Sequence, residues 1–299
     1  MSSPIVSVVI PVFNRREALR RAVLSVLLQS FEDYELIVVD DGSTEPVADV
    51  IADQPRVRLL RHRTNSGAAA ARNTGAREAT AKYIAFLDSD DAWHPEKLAR
   101  QVAFMRSKPH IYASCTGFAL INELGMFDQR LPPPDSNLRE ILKGCRISPG
   151  STLMIERRLC KVVGAMDETL YRLEDWDWLI LATRYTPIKG LREVLVDVHH
   201  DRYAHVNEAQ FVAAAQRMAD YAGQGRYDLS RADRRILLSA IQYELAATYY
   251  YKRRFGQALR ALGTSFFYYP WKRPGLLLAA LKAVGTDLSR ATGLRATRG

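Results

Sequence analysis

Short apolar runs rich in β-branched residues alternate with amphipathic stretches at the start of the chain, and this alternation limits the possible folds more than any other feature. Ile5 to Val12 and Glu35 to Val39 are nearly unbroken apolar runs, and between them Leu19, Ala22, Val23, Val26 and Leu27 recur at helical spacing. A strand that is apolar on successive positions has no face to give to water, so helices must cover both sides of its sheet. The pattern then repeats: Val57 to Leu60 reads as a strand, Ser66 to Ala79 as a helix and Tyr83 to Leu87 as a strand. Pro95 falls at the first turn of a helix carrying Leu98, Val102 and Met105. Asn14, three residues before Glu17, offers a capping box for the first helix. The order implies an α/β fold with a mostly parallel sheet flanked by helices.

In such sheets ligands bind beyond the carboxyl ends of the strands. The second strand ends in Asp40, Asp41, Gly42 and Ser43, and the run at Tyr83 ends in Asp88, Ser89, Asp90 and Asp91, so two acidic loops are expected to face one crevice. Asp and Ser are also ordinary turn formers. Asp88 and Asp90, two apart, can present oxygens to one hard divalent cation, which would relieve their repulsion. The first strand runs into Pro11, Val12, Phe13 and Asn14 without G-x-G-x-x-G, and no G-x-x-x-x-G-K-[ST] loop occurs. Both absences argue against a common dinucleotide enzyme or a P-loop ATPase.

Five segments occur in order: SVVIPVFNR (Ser7 to Arg15), IVVDDGST (Ile37 to Thr44), NSGAAAARNTG (Asn65 to Gly75), YIAFLDSDD (Tyr83 to Asp91) and LEDWDW (Leu173 to Trp178). Together they resemble the family 2 glycosyltransferases, inverting enzymes of the GT-A fold, a Rossmann-like fold, that use a nucleotide-sugar donor. The resemblance covers roughly residues 5 to 200. It implies that Pro11, Phe13, Asn14 and Asp41 hold the base and ribose, Asp41 by accepting from a uracil-type imide, with Arg72, Asp88 and Ser89 also at the nucleotide sugar. It further implies Mn²⁺ or Mg²⁺ on Asp90, with Asp88 and His199 or His200 nearby, and Asp175 as general base with Glu174 as the alternative. Asp91 is expected to cap the helix after Trp93, and Asp177 to be structural. Trp176 and Trp178 could stack on a sugar or pack. The processive members' Q-x-x-R-W segment is absent, which favours transfer of one sugar at a time to a glycan or lipid-linked acceptor.

The chemistry agrees with those assignments. A departing nucleoside diphosphate gathers negative charge that a cation stabilises, and an attacking hydroxyl needs one placed carboxylate. Glu174 to Asp177 would equally make the acidic first turn of a helix.

Domain organisation follows the charge. Net charge is +9. Residues 1 to 201 hold 26 basic and 27 acidic groups, whereas residues 202 to 299 hold 16 and 6. The expected division is a catalytic domain over 1–201, with a nucleotide-sugar half to about 100 and an acceptor half beyond, and a basic helical region over 202–299. That region either packs as a helical appendage or lies on an anionic membrane. Leu276 to Leu281 is too short to cross a bilayer, and no nucleic-acid motif accompanies the charge. The opening residues show no export signal, so a cytoplasmic location is expected, peripheral at the membrane's inner face in the second case. Cys115, Cys145 and Cys160 are too dispersed for a zinc site and odd in number, and read as buried thiols. A nucleotidyltransferase, a glycoside hydrolase and a non-catalytic nucleotide-sugar binder are the competing classes.

Overall fold

A computed structural model describes residues 3–51, 56–107, 110–122, 125–199 and 207–270. The chain divides into two compact units at residues 202 and 203. His200 and the 276–281 run lie outside the described residues.

The first unit is built on one ten-stranded sheet. Its elements in chain order are β1 (Val6–Val12), α1 (Arg16–Leu27), β2 (Tyr34–Asp40), β3 (Val57–Arg61), α2 (Ala68–Glu78), β4 (Tyr83–Phe86), β5 (Ala92–Trp93), α3 (Lys97–Ser107), β6 (Ala113–Asn122), β7 (Gly125–Arg130), β8 (Asp135–Ser136), α4 (Leu138–Leu142), α5 (Pro149–Thr152), β9 (Met154–Glu156), α6 (Arg157–Val163), α7 (Glu174–Ala182) and β10 (Ile188–His199). The spatial order is β3-β2-β1-β4-β9-β6-β10-β5, with β7 on β6 and β8 on β10. The α/β class expected from the alternating runs is the one observed. The sheet is mixed: β3-β2-β1-β4 pair in parallel, as do β6 and β10, while β9 enters antiparallel between β4 and β6 and β5, β7 and β8 pair antiparallel at their neighbours.

Every residue of β1 is buried, as expected of a central strand covered on both faces. Leu19, Ala22, Val23 and Val26 of α1 join this core. Gly75 of α2 lies against Val9, where a Cβ would run into the valine side chain. Pro11 marks where the sheet opens. β4 pairs with β1 only as far as Val9 opposite Phe86, and Leu87 N donates to Val9 O at 3.0 Å. The donor that Pro11 lacks would point to that same side, where β4 has run out, so the proline leaves no ladder bond unmade. The parting of β1 and β4 is the switch point of the strand order and the crevice opens there.

Two expected helix starts are corrected. Asn14 does not cap α1: its φ is 53°, and its side-chain oxygen accepts from the backbone N (2.8 Å) and hydroxyl (3.1 Å) of Thr44, so Arg15 is the residue that precedes the helix. Pro95 lies in the turn before α3, which begins at Lys97.

The second unit contains α8 (Glu208–Gln224), α9 (Arg231–Tyr251) and α10 (Phe255–Tyr268). Asn207 and Ser230 cap α8 and α9 by accepting from the amides of Gln210 and Asp233. Gly225 ends α8 at φ 86°. Ser239 of α9 and Ser265 of α10 exchange hydrogen bonds of 2.7 and 2.8 Å through their hydroxyls and backbone carbonyls. Leu259, Phe266 and Phe267 of α10 remain exposed. Among the described residues no helix is long and apolar enough to cross a membrane.

Candidate active site

Five chain segments converge where β1 and β4 part: the loop after β1, the ends of β2 and β4, the short helix α5 and the start of α7. Three of the entries are strained. Asn14, Ser148 and Leu173 are non-glycine residues with φ of 53°, 45° and 64°, standing directly before α1, α5 and α7 or one residue short of them. Such conformations persist where the surroundings fix them, commonly at sites of binding or chemistry.

Arg72 is the hub. One of its terminal nitrogens donates to Asp88 at 2.6 Å and the other to Glu174 at 2.7 Å. Burial disfavours its charge, but Asp88, Glu174 and Asp175 together hold it protonated. The next residue, Asn73, donates to the Met166 carbonyl and accepts from the Met166 amide, both at 2.9 Å. Consecutive residues of α2 thus clamp the loop before α7 and the acid that begins it. Leu173 in the left-handed region turns the chain so that Glu174 faces Arg72 while Asp175 lines a crevice with Arg72, Gly150, Met166 and Trp178. Asp175 is half-buried; its carboxyl is raised to about 6, first by burial and then by Glu174, with Arg72 opposing. Trp176 packs, with its indole N–H on the Ile141 carbonyl at 2.7 Å. Trp178 is also buried but borders the crevice. Asp177 is buried within α7.

The acidic loop after β4 is tied down from several sides. Gly150 sits so close to Asp88 that a Cβ would run into its carboxylate. The Ser151 hydroxyl accepts from the Asp88 amide at 3.1 Å and donates to Asp91. Asp91 also accepts from the His199 amide at 3.0 Å. It therefore joins α5 to the end of β10, correcting the expectation that it caps the helix after Trp93. Burial, then Asp88 and Asp90, push its carboxyl well above the usual range. Ser89 is buried. Asp90 is half-buried; burial and Asp88 raise its carboxyl, and Arg15 pairs with it. The His199 Nδ1 is buried without a hydrogen-bond partner.

At the end of β2, Asp41 is buried and its oxygens accept from the amides of Ser66 (3.0 Å) and Gly67 (2.8 Å), with a further bond to His62 Nδ1 at 2.7 Å. Gly42, at φ 78°, lets this turn pass the backbone of Thr64, 2.8 Å from where a Cβ would stand. Pro11 is buried and Phe13 is 40% exposed. The structure brings Asp88, Arg72, Glu174 and Asp175 together directly, and Asp90, Asp91 and His199 beside them. The sequence reading missed Arg15, Asn73, Gly150 and Ser151; Arg15 and Asn73 lie within quoted motifs, whereas Gly150 and Ser151 carry no motif signal.

The family model for glycosyl transferase family 2 matches residues 7–164. This chain belongs to that family. One similar protein matches over more of the chain than the family model does. The Escherichia coli enzyme WfaP, named a UDP-Glc:alpha-D-GlcNAc-diphosphoundecaprenol beta-1,3-glucosyltransferase, is 30% identical over 204 residues, covering 67% of this chain and 78% of its own. Uncharacterized Rickettsia glycosyltransferases reach 41% and 40% identity over 124 residues, but that match spans 20% of their length. Among solved structures, S. aureus TarS (residues 1–349) in complex with UDP superposes with a TM-score of 0.65 at 21% identity, covering 89% of this chain and 81% of that one. The mannosyltransferase PcManGT of Pyrobaculum calidifontis, in complex with GDP-Man and Mn²⁺, gives 0.61 at 18% identity, covering 96% and 81%. The structural likenesses show a GT-A-like fold.

The cysteines take no part in the site. None of the three is in a disulfide; Cys115 is buried as expected but Cys145 and Cys160 are only half-buried, and burial raises the Cys115 thiol to about 12 and Cys160 to about 11.

Proposed function

We propose that this chain is an inverting, metal-assisted glycosyltransferase that moves one sugar at a time from a UDP-linked donor to a hydroxyl of a glycan or lipid-linked acceptor. The observation that carries the reading is Asp175: a carboxylate lining the crevice beside Arg72, fixed by a strained turn, with its carboxyl at about 6. At neutral pH it is ionised yet basic enough to accept a proton from an acceptor hydroxyl. As that oxygen attacks the anomeric carbon from one face, the bond to the diphosphate breaks on the other, and the proton ends on Asp175. Glu174 has its charge committed to Arg72 at 2.7 Å and acts as a positioning residue.

The residues near Asp90 suit a divalent cation. Asp88 and Asp90 repel each other, and the buried Nδ1 of His199 lacks a partner. Among the described residues no three His, Cys, Asp or Glu side chains converge as a closed metal shell. A hard cation that keeps water and phosphate oxygens as ligands needs only one or two carboxylates. Asp90 would hold it, with Asp88 and His199 beside it. When bound, such an ion supplies positive charge where the leaving diphosphate becomes more negative. Phe13, exposed in the loop after β1, would supply an aromatic face for the base with Pro11 beside it in sequence, Asn14 and Asp41 fix the loops around the nucleotide, and Ser89 would meet the nucleotide sugar between Asp88 and Asp90.

The printed names support the donor and acceptor: WfaP uses UDP-Glc and a diphosphoundecaprenol-linked acceptor, and TarS has been crystallised with UDP. A lipid-linked acceptor would suit contact between the basic second unit and an anionic membrane, through the exposed Leu259, Phe266 and Phe267 of α10. Nucleoside diphosphate release from a panel of nucleotide sugars, with Mn²⁺ or EDTA, tests the reading. Asp175→Asn should lose about 10²- to 10⁴-fold in transfer while still binding donor, and Asp90→Ala should lose metal-dependent donor binding. Undiminished transfer by Asp175→Asn refutes the assignment.

A further inference from the structure

Arg15 stands where a mere surface arginine would not need to be. It immediately precedes α1, an end where positive charge is disfavoured by the helix dipole. Its backbone is fixed because Asn14 on one side is bonded to Ser43 and Thr44 at 2.8 to 3.1 Å. From there its guanidinium pairs with the Asp90 carboxylate, 75 residues away. Arg21, on the same helix, donates to the Asp90 carbonyl at 2.8 Å and so holds the loop without touching the carboxylate. The Arg15 and Asp90 side chains are 46% and 35% exposed. A pair that open to water is held weakly and exchanges readily.

We infer that Arg15 is the resident counter-ion of Asp90, displaced more readily by a divalent cation and a diphosphate together than by the cation alone. The inference rests on the reading of Asp90 as the cation's ligand. A cation alone must break the ion pair and then lie beside a free guanidinium, and like charges at that distance oppose its binding. A diphosphate removes the penalty by giving the guanidinium two oxygens to grip. Cation and nucleotide are therefore coupled through Arg15, and by reciprocity each raises the affinity of the other. The consequence is an acidic loop that takes up stray cations less readily between turnovers.

The experiment is titration of the full chain with Mn²⁺, reading the free ion by electron paramagnetic resonance, with and without UDP. Arg15→Gln should bind Mn²⁺ alone about three- to tenfold more tightly than wild type, and the gain that UDP confers should shrink by a similar factor. Arg15→Lys, which keeps the charge but not the fork, should bind Mn²⁺ alone as wild type does and retain only part of the gain that UDP confers. Equal or weaker Mn²⁺ binding by Arg15→Gln, at an unchanged melting temperature, overturns the inference. Asp90→Asn separates the two levels: if it binds Mn²⁺ as well as wild type, the assignment of Asp90 as ligand is wrong, and the counter-ion role falls with it. If Asp90→Asn binds weakly while Arg15→Gln is unaltered, only the counter-ion role fails.

Discussion

Arg72 and Glu174, 102 residues apart in sequence, form a buried ion pair at 2.7 Å, and the same guanidinium reaches Asp88 at 2.6 Å. The pair joins the helix after β3 to the helix that carries Asp175. Removing one partner of a buried charge network leaves the others uncompensated, at a cost of about 3–5 kcal/mol. Arg72→Met should lose that much by urea unfolding. Combining it with Glu174→Gln should cost less than the two single losses added together, because the second change relieves a carboxylate that the first had stranded. Strict additivity would mean that the two residues do not act as a pair.

The rate should follow the ionisation of Asp175. Its carboxyl lies at about 6, raised by burial and by Glu174. The base is active only when deprotonated, so kcat/KM should rise with pH through about 6 and level off above it. The limb should vanish from the residual rate of Asp175→Asn. A profile flat from pH 5 to 8 in the wild type would assign the proton to another group.

The same shift is a cost to the fold. Asp175 has a higher carboxyl pKa folded than unfolded, so the folded state binds the proton more tightly and stability falls as pH rises from about 4 to about 6. At roughly 1.4 kcal/mol per pH unit the full effect is near 3 kcal/mol, and the group's partial exposure reduces it to about 1–2. Asp175→Asn should therefore melt higher than wild type at pH 8 and level with it at pH 4. A variant less stable at pH 8 would show that the carboxylate serves structure.

Gly150 is held to glycine by Asp88, not by its own backbone angles. A Cβ there would meet the Asp88 carboxylate, whose other oxygen is fixed to Arg72 at 2.6 Å, so the short side chain cannot swing aside without giving up that bond. Gly150→Ala should lower stability by about 1–3 kcal/mol and weaken UDP binding, read by calorimetry. Gly75→Ala, which crowds Val9 beneath α2, should lower stability alike but leave UDP affinity unchanged.

What the sequence disclosed, and what it concealed, follows from the range of the interactions. β1, β2 and β4 were legible because strands covered on both faces must be apolar at every position, and α7 because acids favour a helix start. The antiparallel insertion of the three-residue β9 between β4 and β6 was not legible, because strand direction leaves no mark in the run of apolar residues. Asn14 and Asp91 carry ordinary capping residue types, yet their side chains reach Thr44 in one case and Ser151 and His199 in the other. Local rules rank a cap by type and spacing and do not register a distant partner. The acids of the site were likewise visible as motif members, whereas Gly150 and Ser151 belong to no motif, and their importance lies in what approaches them.

Asp41 offers a last test, of loop against base. Its carboxylate already accepts from Ser66, Gly67 and His62, which latches the β3–α2 loop to the end of β2. Asp41→Ala strands two backbone donors and should cost about 1–3 kcal/mol. If the carboxylate acts only through that latch, the variant should lose affinity for UDP, CDP and GDP by a common factor. If it also accepts from the uracil imide, UDP should lose more than CDP, whose base presents an acceptor nitrogen at that position. Calorimetric titration of the three nucleotides against wild type and variant separates the cases, and the latch geometry leads us to expect the common factor.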